Sequence, residues 1–173
     1  MDAIECLLTR RSIRSFTDKK IEKCDLETIA KAAYNAPSAM NRQTWQFTVV
    51  QKADVIESLA ECLRKKLNRD KGYNFYKPNA VILCSNVRDN HLAKEDCAVA
   101  MENIMLAAHA LGIGSVWINQ FNGVCDDTVV REELKRIGVP DSHLVWGMAA
   151  LGYASDDAKR NFEKNEKVVK WVL

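Results

Sequence analysis

Apolar positions recur along the chain with two periods, near 3.6 and near 2, and each predicts a kind of element. Residues 2–9 carry Ile4, Leu7 and Leu8 and read as a short helix. Leu26, Ile29, Ala30 and Ala33 make one face of a second helix running to about residue 35. Asp25 is its candidate cap, and Pro37 ends it. Residues 46–51 (Gln-Phe-Thr-Val-Val-Gln) read as a strand. Over 54–67, Val55, Leu59, Cys62 and Leu63 face inward, while Glu57, Glu61, Arg64, Lys65 and Lys66 face water. Residues 80–84 are continuously apolar, as a buried strand is. Residues 95–111 are apolar nearly all round, which predicts a central helix, with Gly112 where a cap glycine belongs. Residues 115–118 and 144–152 supply two more strands. Between them Asp126 or Asp127 caps a helix that Gly138 and Pro140 terminate. The tail beyond residue 154 is polar, then closes on Val168, Val169, Trp171, Val172 and Leu173. Such an ending needs a surface, in its own domain or on a partner chain. Interleaved helices and strands predict an α+β fold with a mixed or mainly antiparallel sheet.

Composition narrows the class. The 173 residues favour a single domain over 1–173 with a sizeable core. Basic and acidic residues number 25 and 23, a formal charge of +2, which gives no reason to expect nucleic acid as the partner. No apolar run approaches the roughly 20 residues that span a bilayer, so no membrane partner is expected. Asp2 and Glu5 stand where a signal peptide would be basic and then apolar. Six cysteines form no C-x-x-C pair. Reduced thiols in the cytoplasm are the expectation, rather than a disulfide framework or a bound metal.

Two segments carry candidate chemistry. Residues 9–16 (Thr-Arg-Arg-Ser-Ile-Arg-Ser-Phe) hold three guanidinium groups and three hydroxyls. Clustered arginines repel unless an anion or acidic partner lies among them, and their planar forks suit phosphate. The expected ligand is a phosphorylated small molecule. Residues 36–47 (Ala-Pro-Ser-Ala-Met-Asn-Arg-Gln-Thr-Trp-Gln-Phe) make a turn rich in donors and acceptors, bounded by large aromatics. Read alone, this is also what a helix-to-strand loop with Trp45 and Phe47 in the core looks like. His91, His109 and His143 are scattered, and the carboxylates show no paired acid–base site. No Gly-x-Gly-x-x-Gly segment is present.

Arg10-Arg11-Ser12-Ile13-Arg14 followed by Ala36-Pro37-Ser38-Ala39-x-Asn41-Arg42-Gln43-x-Trp45-x-Phe47 resembles the nitroreductase family of FMN-dependent oxidoreductases. Residues 107–118 look like that family's central helix and following strand, and Leu151-Gly152-Tyr153 like its last strand. The ordered set spans essentially the whole chain, in a short form without the helical insertions of longer members. The resemblance implies a three-layer fold and an intertwined homodimer with one FMN per subunit at the interface. It implies that Arg10, Ser12 and Arg14 hold the phosphate and ribityl chain, with Arg11 near the pyrimidine side of the ring. Pro37, Ser38, Ala39 and Asn41 would approach the same flavin from the partner subunit. Trp117, Ile118 and Asn119 would lie beside the ring, with a main-chain N–H near flavin N5. Asn74 or Lys77 would reach the pyrimidine edge, and Lys159 or Arg160 would meet the phosphate. Asn119-Gln120 departs from an acidic-glycine pair seen in some members, and Ala154 from a frequent proline.

No side chain is then catalytic, because flavin N5 carries the chemistry. The implied activity is ping-pong oxidation of NAD(P)H with reduction of nitroaromatics, quinones or other electron-poor acceptors. A flavin-consuming or dehalogenating relative usually carries extra lid segments, which this short chain lacks. The alternative from another class is a flavin-binding protein without NAD(P)H turnover, acting as a store or a redox-responsive partner. A dimer that has lost flavin is the third, and the intact arginine set argues against it.

Overall fold

The structure, a computed structural model, describes residues 1–158 and 164–172. Lys159 and Arg160 lie outside the described residues. The elements are α1 (Ala3–Thr9), α2 (Lys23–Tyr34), β1 (Trp45–Val50), α3 (Ala53–Lys66), β2 (Ala80–Val87), α4 (Ala93–Ala110), β3 (Gly114–Ile118), α5 (Thr128–Arg136) and β4 (His143–Gly152). The strands form one sheet in the order β1-β2-β4-β3. All three pairings are antiparallel. The fold is therefore α+β as expected, with the sheet resolved to antiparallel.

Each strand alternates its side chains across the sheet, and both faces are covered. Val81, Leu83, Val116, Ile118, Met148 and Ala150 point to a core shared with Ile56, Leu59 and Leu63 of α3 and Val130 and Leu134 of α5. Ala80, Ile82, Cys84, Ala149 and Leu151 point the other way, against Leu26, Ile29 and Ala33 of α2 and Cys97, Ala100, Met101 and Ile104 of α4. The result is helix, sheet, helix. A strand buried on both faces reads as an unbroken apolar run, which is why 80–84 was visible in sequence. The strand continues to Val87 because Ser85 and Asn86, polar but buried, keep the ladder to β4.

Local chemistry sets the element ends. Asp2 caps α1 by accepting from Glu5 N–H at 2.9 Å. Asp127, one of the two predicted candidates, caps α5. Asp25 is not the cap of α2, because the helix begins at Lys23 after Glu22. It sits in the first turn, where a carboxylate still favours the helix dipole. Gly112 and Gly138 follow α4 and α5 with φ of 73° and 85°, the left-handed geometry that glycine adopts without strain. Five of the six cysteines are buried, Cys24 is exposed, and all are free thiols.

The chain from Ser12 to Thr17 crosses the start of β3 and the end of β4. Ile13 N–H donates to Ser115 carbonyl at 2.9 Å, and Thr17 N–H to Tyr153 carbonyl at 2.8 Å. Gly114 and Gly152 face each other in the ladder. A Cβ at Gly114 would lie 2.9 Å from Ile13 Cβ, and one at Gly152 would lie 2.8 Å from the Phe16 ring. These two glycines let the segment lie flat on the sheet.

Candidate functional site

The basic segment hangs on the edge strand. Ser12 forms a parallel bridge with Ser115, so Arg10 to Arg14 sit beside the first residues of β3. Arg10 turns towards α4, where its Nε lies 3.5 Å from Glu102 Oε1. Its Nη1 is buried with no hydrogen-bond partner among the described residues. A charged donor left in that state is costly, and an anionic oxygen would relieve it. Arg14 is exposed. Arg11 is differently employed: its Nη1 donates to the carbonyls of Leu8 at 2.8 Å and Arg10 at 2.7 Å, closing the C-terminus of α1. Arg10 Nη1, without a partner among the described residues, and the exposed guanidinium of Arg14 are chemically suited to an anion.

Nearby, His109 of α4 meets Thr9, with Nε2 2.9 Å from Oγ1. Burial, then the charges of Arg10 and Arg11, hold this imidazole below its usual value. A third cation beside these two would worsen their repulsion, which disfavours the charged ring. His143, one residue before the strand predicted over 144–152, opens β4, where it is buried with Nδ1 3.1 Å from Ser85 Oγ. Burial lowers it too.

Asn74 and Lys77 share the same end of the sheet. They line a cavity of about 510 Å³ with Asp18, Lys20, Gln51 and Asn79. Asn79 ties this turn to the basic segment, its Nδ2 donating to Thr17 carbonyl at 3.2 Å. Phe75, Tyr76 and Lys77 have φ of 55°, 70° and 51°, a left-handed run of non-glycine residues. Such strain collects at functional turns.

Trp117 lies on the α4 face of β3 and rests on Gly147, where a Cβ would sit 2.9 Å from the indole nitrogen. Ile118 points the other way into the core with α3 and α5, so only its main chain is available to a ligand. Asn119 is exposed just beyond the strand, and Gln120 Oε1 is buried without a partner among the described residues.

Pro37, Ser38, Ala39 and Asn41 are not brought to Arg10 within one chain. Their loop leads into Trp45, which pairs with Asn86 at the end of β2. Gly114, beside the arginines, pairs with Gly152 at the end of β4. Because the strands are antiparallel, these are opposite ends of the sheet, and β1 and β3 are its opposite edges. The loop is stiffened by Ser38 Oγ, which accepts from Gln43 N–H at 3.1 Å. Residues not singled out from sequence hold it from below: Asp96, Asn90, Thr44 and Asn86. An acid in a helix's first turn is ordinary, so Asp96 carried no signal of its own.

The structure thus defines a three-layer α+β protein with a strip of arginines laid along its edge strand. The comparisons agree. The model of the nitroreductase family matches residues 7–153. A protein of Archaeoglobus fulgidus, named as a candidate NADH dehydrogenase/NAD(P)H nitroreductase, is 35% identical over 166 residues, covering 90% of this chain and 87% of its own. A nitroreductase with bound FMN from Bacteroides fragilis superposes with a TM-score of 0.93 at 33% identity, covering 100% of both chains. An FMN-dependent nitroreductase from Clostridium difficile gives a TM-score of 0.81 at 34% identity, over 97% of this chain and 98% of that one. The chain belongs to the nitroreductase family.

Proposed function

We propose that this protein is an FMN-dependent oxidoreductase that uses NAD(P)H to reduce electron-poor acceptors such as nitroaromatics or quinones. The observation that carries the reading is the buried Nη1 of Arg10, without a partner among the described residues, beside the edge strand of a nitroreductase fold. The FMN of the Bacteroides relative and the NAD(P)H in the Archaeoglobus relative's name support the cofactor and the donor.

Arg10 and Arg14 would hold the phosphate and Ser12 the ribityl chain, with Lys159 or Arg160 joining them. Asn74 would meet the pyrimidine edge, and Trp117 and the main chain of 118–119 the ring. FMN, when bound, supplies the two-electron redox chemistry that no side chain here offers. The chain's own work is to bind the phosphate and orient the ring. With no separate dinucleotide-binding motif, donor and acceptor would use one pocket in turn, which is ping-pong order.

The protein would be a homodimer, with FMN between subunits. Pro37, Ser38, Ala39 and Asn41 lie at the far end and far edge of the sheet from Arg10. A second copy is the simplest way to bring that loop to the flavin. Ile4, Leu7 and Leu8 of α1 and Val168, Trp171 and Val172 of the tail, all exposed in the single chain, would supply apolar interface.

The test is an anaerobic absorbance titration of purified, FMN-loaded protein. Bleaching of the flavin bands by NADH or NADPH, and their return with a quinone or nitroaromatic, is the expected result. Bands that persist with both donors would favour the flavin store without NAD(P)H turnover.

A further inference from the structure

We propose that Asp96 is a positioning residue of the flavin site: a buried carboxylate that holds the 38–43 loop in the shape with which it meets FMN. This rests on the reading of that loop as a flavin contact. Asp96 lies in the first turn of α4 and is 4% exposed. Its Oδ1 accepts from Ala39 N–H at 2.8 Å, and its Oδ2 accepts from Asn90 Nδ2 at 3.0 Å. Asn90 also donates to Thr44 Oγ1 at 3.3 Å and accepts from Leu92 N–H at 3.0 Å. Thr44 in turn donates to Asn86 Oδ1 at 2.7 Å.

The network grips the loop at both ends, Ala39 and Thr44. Between the grips Met40, Asn41 and Gln43 have φ of 52°, 53° and 49°. Three left-handed non-glycine residues in four do not persist in an exposed loop unless its surroundings impose them. Among the described residues, Ala39 N–H is the one loop donor that a buried carboxylate holds, so Asp96 is the anchor with most leverage. It meets the flavin-directed loop through Ala39 N–H, and so acts through the main chain. Its tie is also specific in polarity. An amide at this position would set an NH₂ group against Ala39 N–H or Asn90 Nδ2, and one donor would lose its acceptor.

Asp96→Asn tests this, beside the exchange variant Asn90→Asp/Asp96→Asn. The exchange keeps one carboxylate facing one amide and leaves Ala39 N–H an acceptor, while the Thr44 hydroxyl, which accepted from Asn90 Nδ2, turns to donate to the carboxylate now at 90. Two readouts are taken: FMN affinity of the apoprotein by flavin fluorescence, and hydrogen–deuterium exchange of the peptide covering 36–44. Asp96→Asn is expected to weaken FMN about tenfold and to speed exchange in that peptide but not in β2 or α5. The exchange variant is expected to recover most of both losses. Native affinity or unchanged loop exchange in Asp96→Asn overturns the proposal. So does an exchange variant as impaired as the single one. If Asp96→Asn does not fold, Thr44→Val cuts the loop's other grip and is expected to weaken FMN about two- to fivefold with faster loop exchange; native values there overturn the proposal. Wild-type protein that takes up no FMN would instead sink the flavin reading itself.

Discussion

Arg10 spends its guanidinium on one long contact to Glu102 and keeps Nη1 buried without a partner among the described residues. Arg10→Ala should therefore weaken FMN by about 1–3 kcal/mol, the worth of lost charge-assisted bonds. Arg14→Ala should do the same, and Arg11→Ala should act mainly on α1, whose last carbonyls it binds. Fluorescence titration of the three variants checks the assignment, and equal affinities for all would remove it. Gly114→Ala is a second test, because its Cβ meets Ile13 at 2.9 Å and must push the basic segment off β3. The expected cost is about 1–3 kcal/mol of stability, with poorer FMN binding, by urea unfolding and the same titration. The arginines were legible in sequence because their meaning is local: three like charges in five residues. Asp96 was not, because its partner Ala39 is 57 residues away along the chain.

Among the elements, α4 is the scaffold that the others read from. It packs on α2 through the apolar face that made it visible as a central helix. It also receives α1, with Cys6 Sγ donating to Leu106 carbonyl at 3.3 Å and Thr9 meeting His109. That second contact ties α4 to pH. His109 and His143 are both held below their ordinary value of about 6.5. Each gains a proton more readily in the unfolded chain than in the fold. Their stabilisation is complete above that value and is lost as pH falls through it towards the folded value. Urea midpoints should therefore drop between pH about 7.5 and about 5.5, and His143→Gln should flatten part of the drop. A midpoint constant over that range would contradict the lowering of both imidazoles. Element ends were less legible than their faces. The helix predicted from Asp25 begins at Lys23, because the apolar face does not mark which preceding polar residue caps it.

For the molecule as a whole, the sheet separates the two sequence motifs. The arginine strip lies by the start of β3 and the Pro37–Asn41 loop by the start of β1, at opposite ends and edges. Under the proposed function, a site using both would take them from two copies. The described tail agrees, since Trp171 and Val172 are 77% and 87% exposed in the single chain. Deleting residues 161–173 is expected to shift sedimentation towards monomer and to lower FMN affinity together. A truncated chain that stays dimeric with an unchanged melting temperature would deny the tail an interface role.

What the sequence determined by itself is what short-range chemistry encodes. Hydrophobic period set the helices and strands, like charge marked the anion strip, and glycine and proline punctuated the ends. Those signals act between residues a few positions apart, so they survive in one dimension. The tertiary structure decided the rest. Antiparallel register put Gly114 under Ile13 and sent Ile118 into the core while Trp117 stayed on the α4 face. Packing of α4 brought Asp96 to Ala39 and Glu102 to Arg10. Such pairings depend on where whole elements come to rest, which is fixed by burial of two apolar faces and not by any residue's neighbours in the chain.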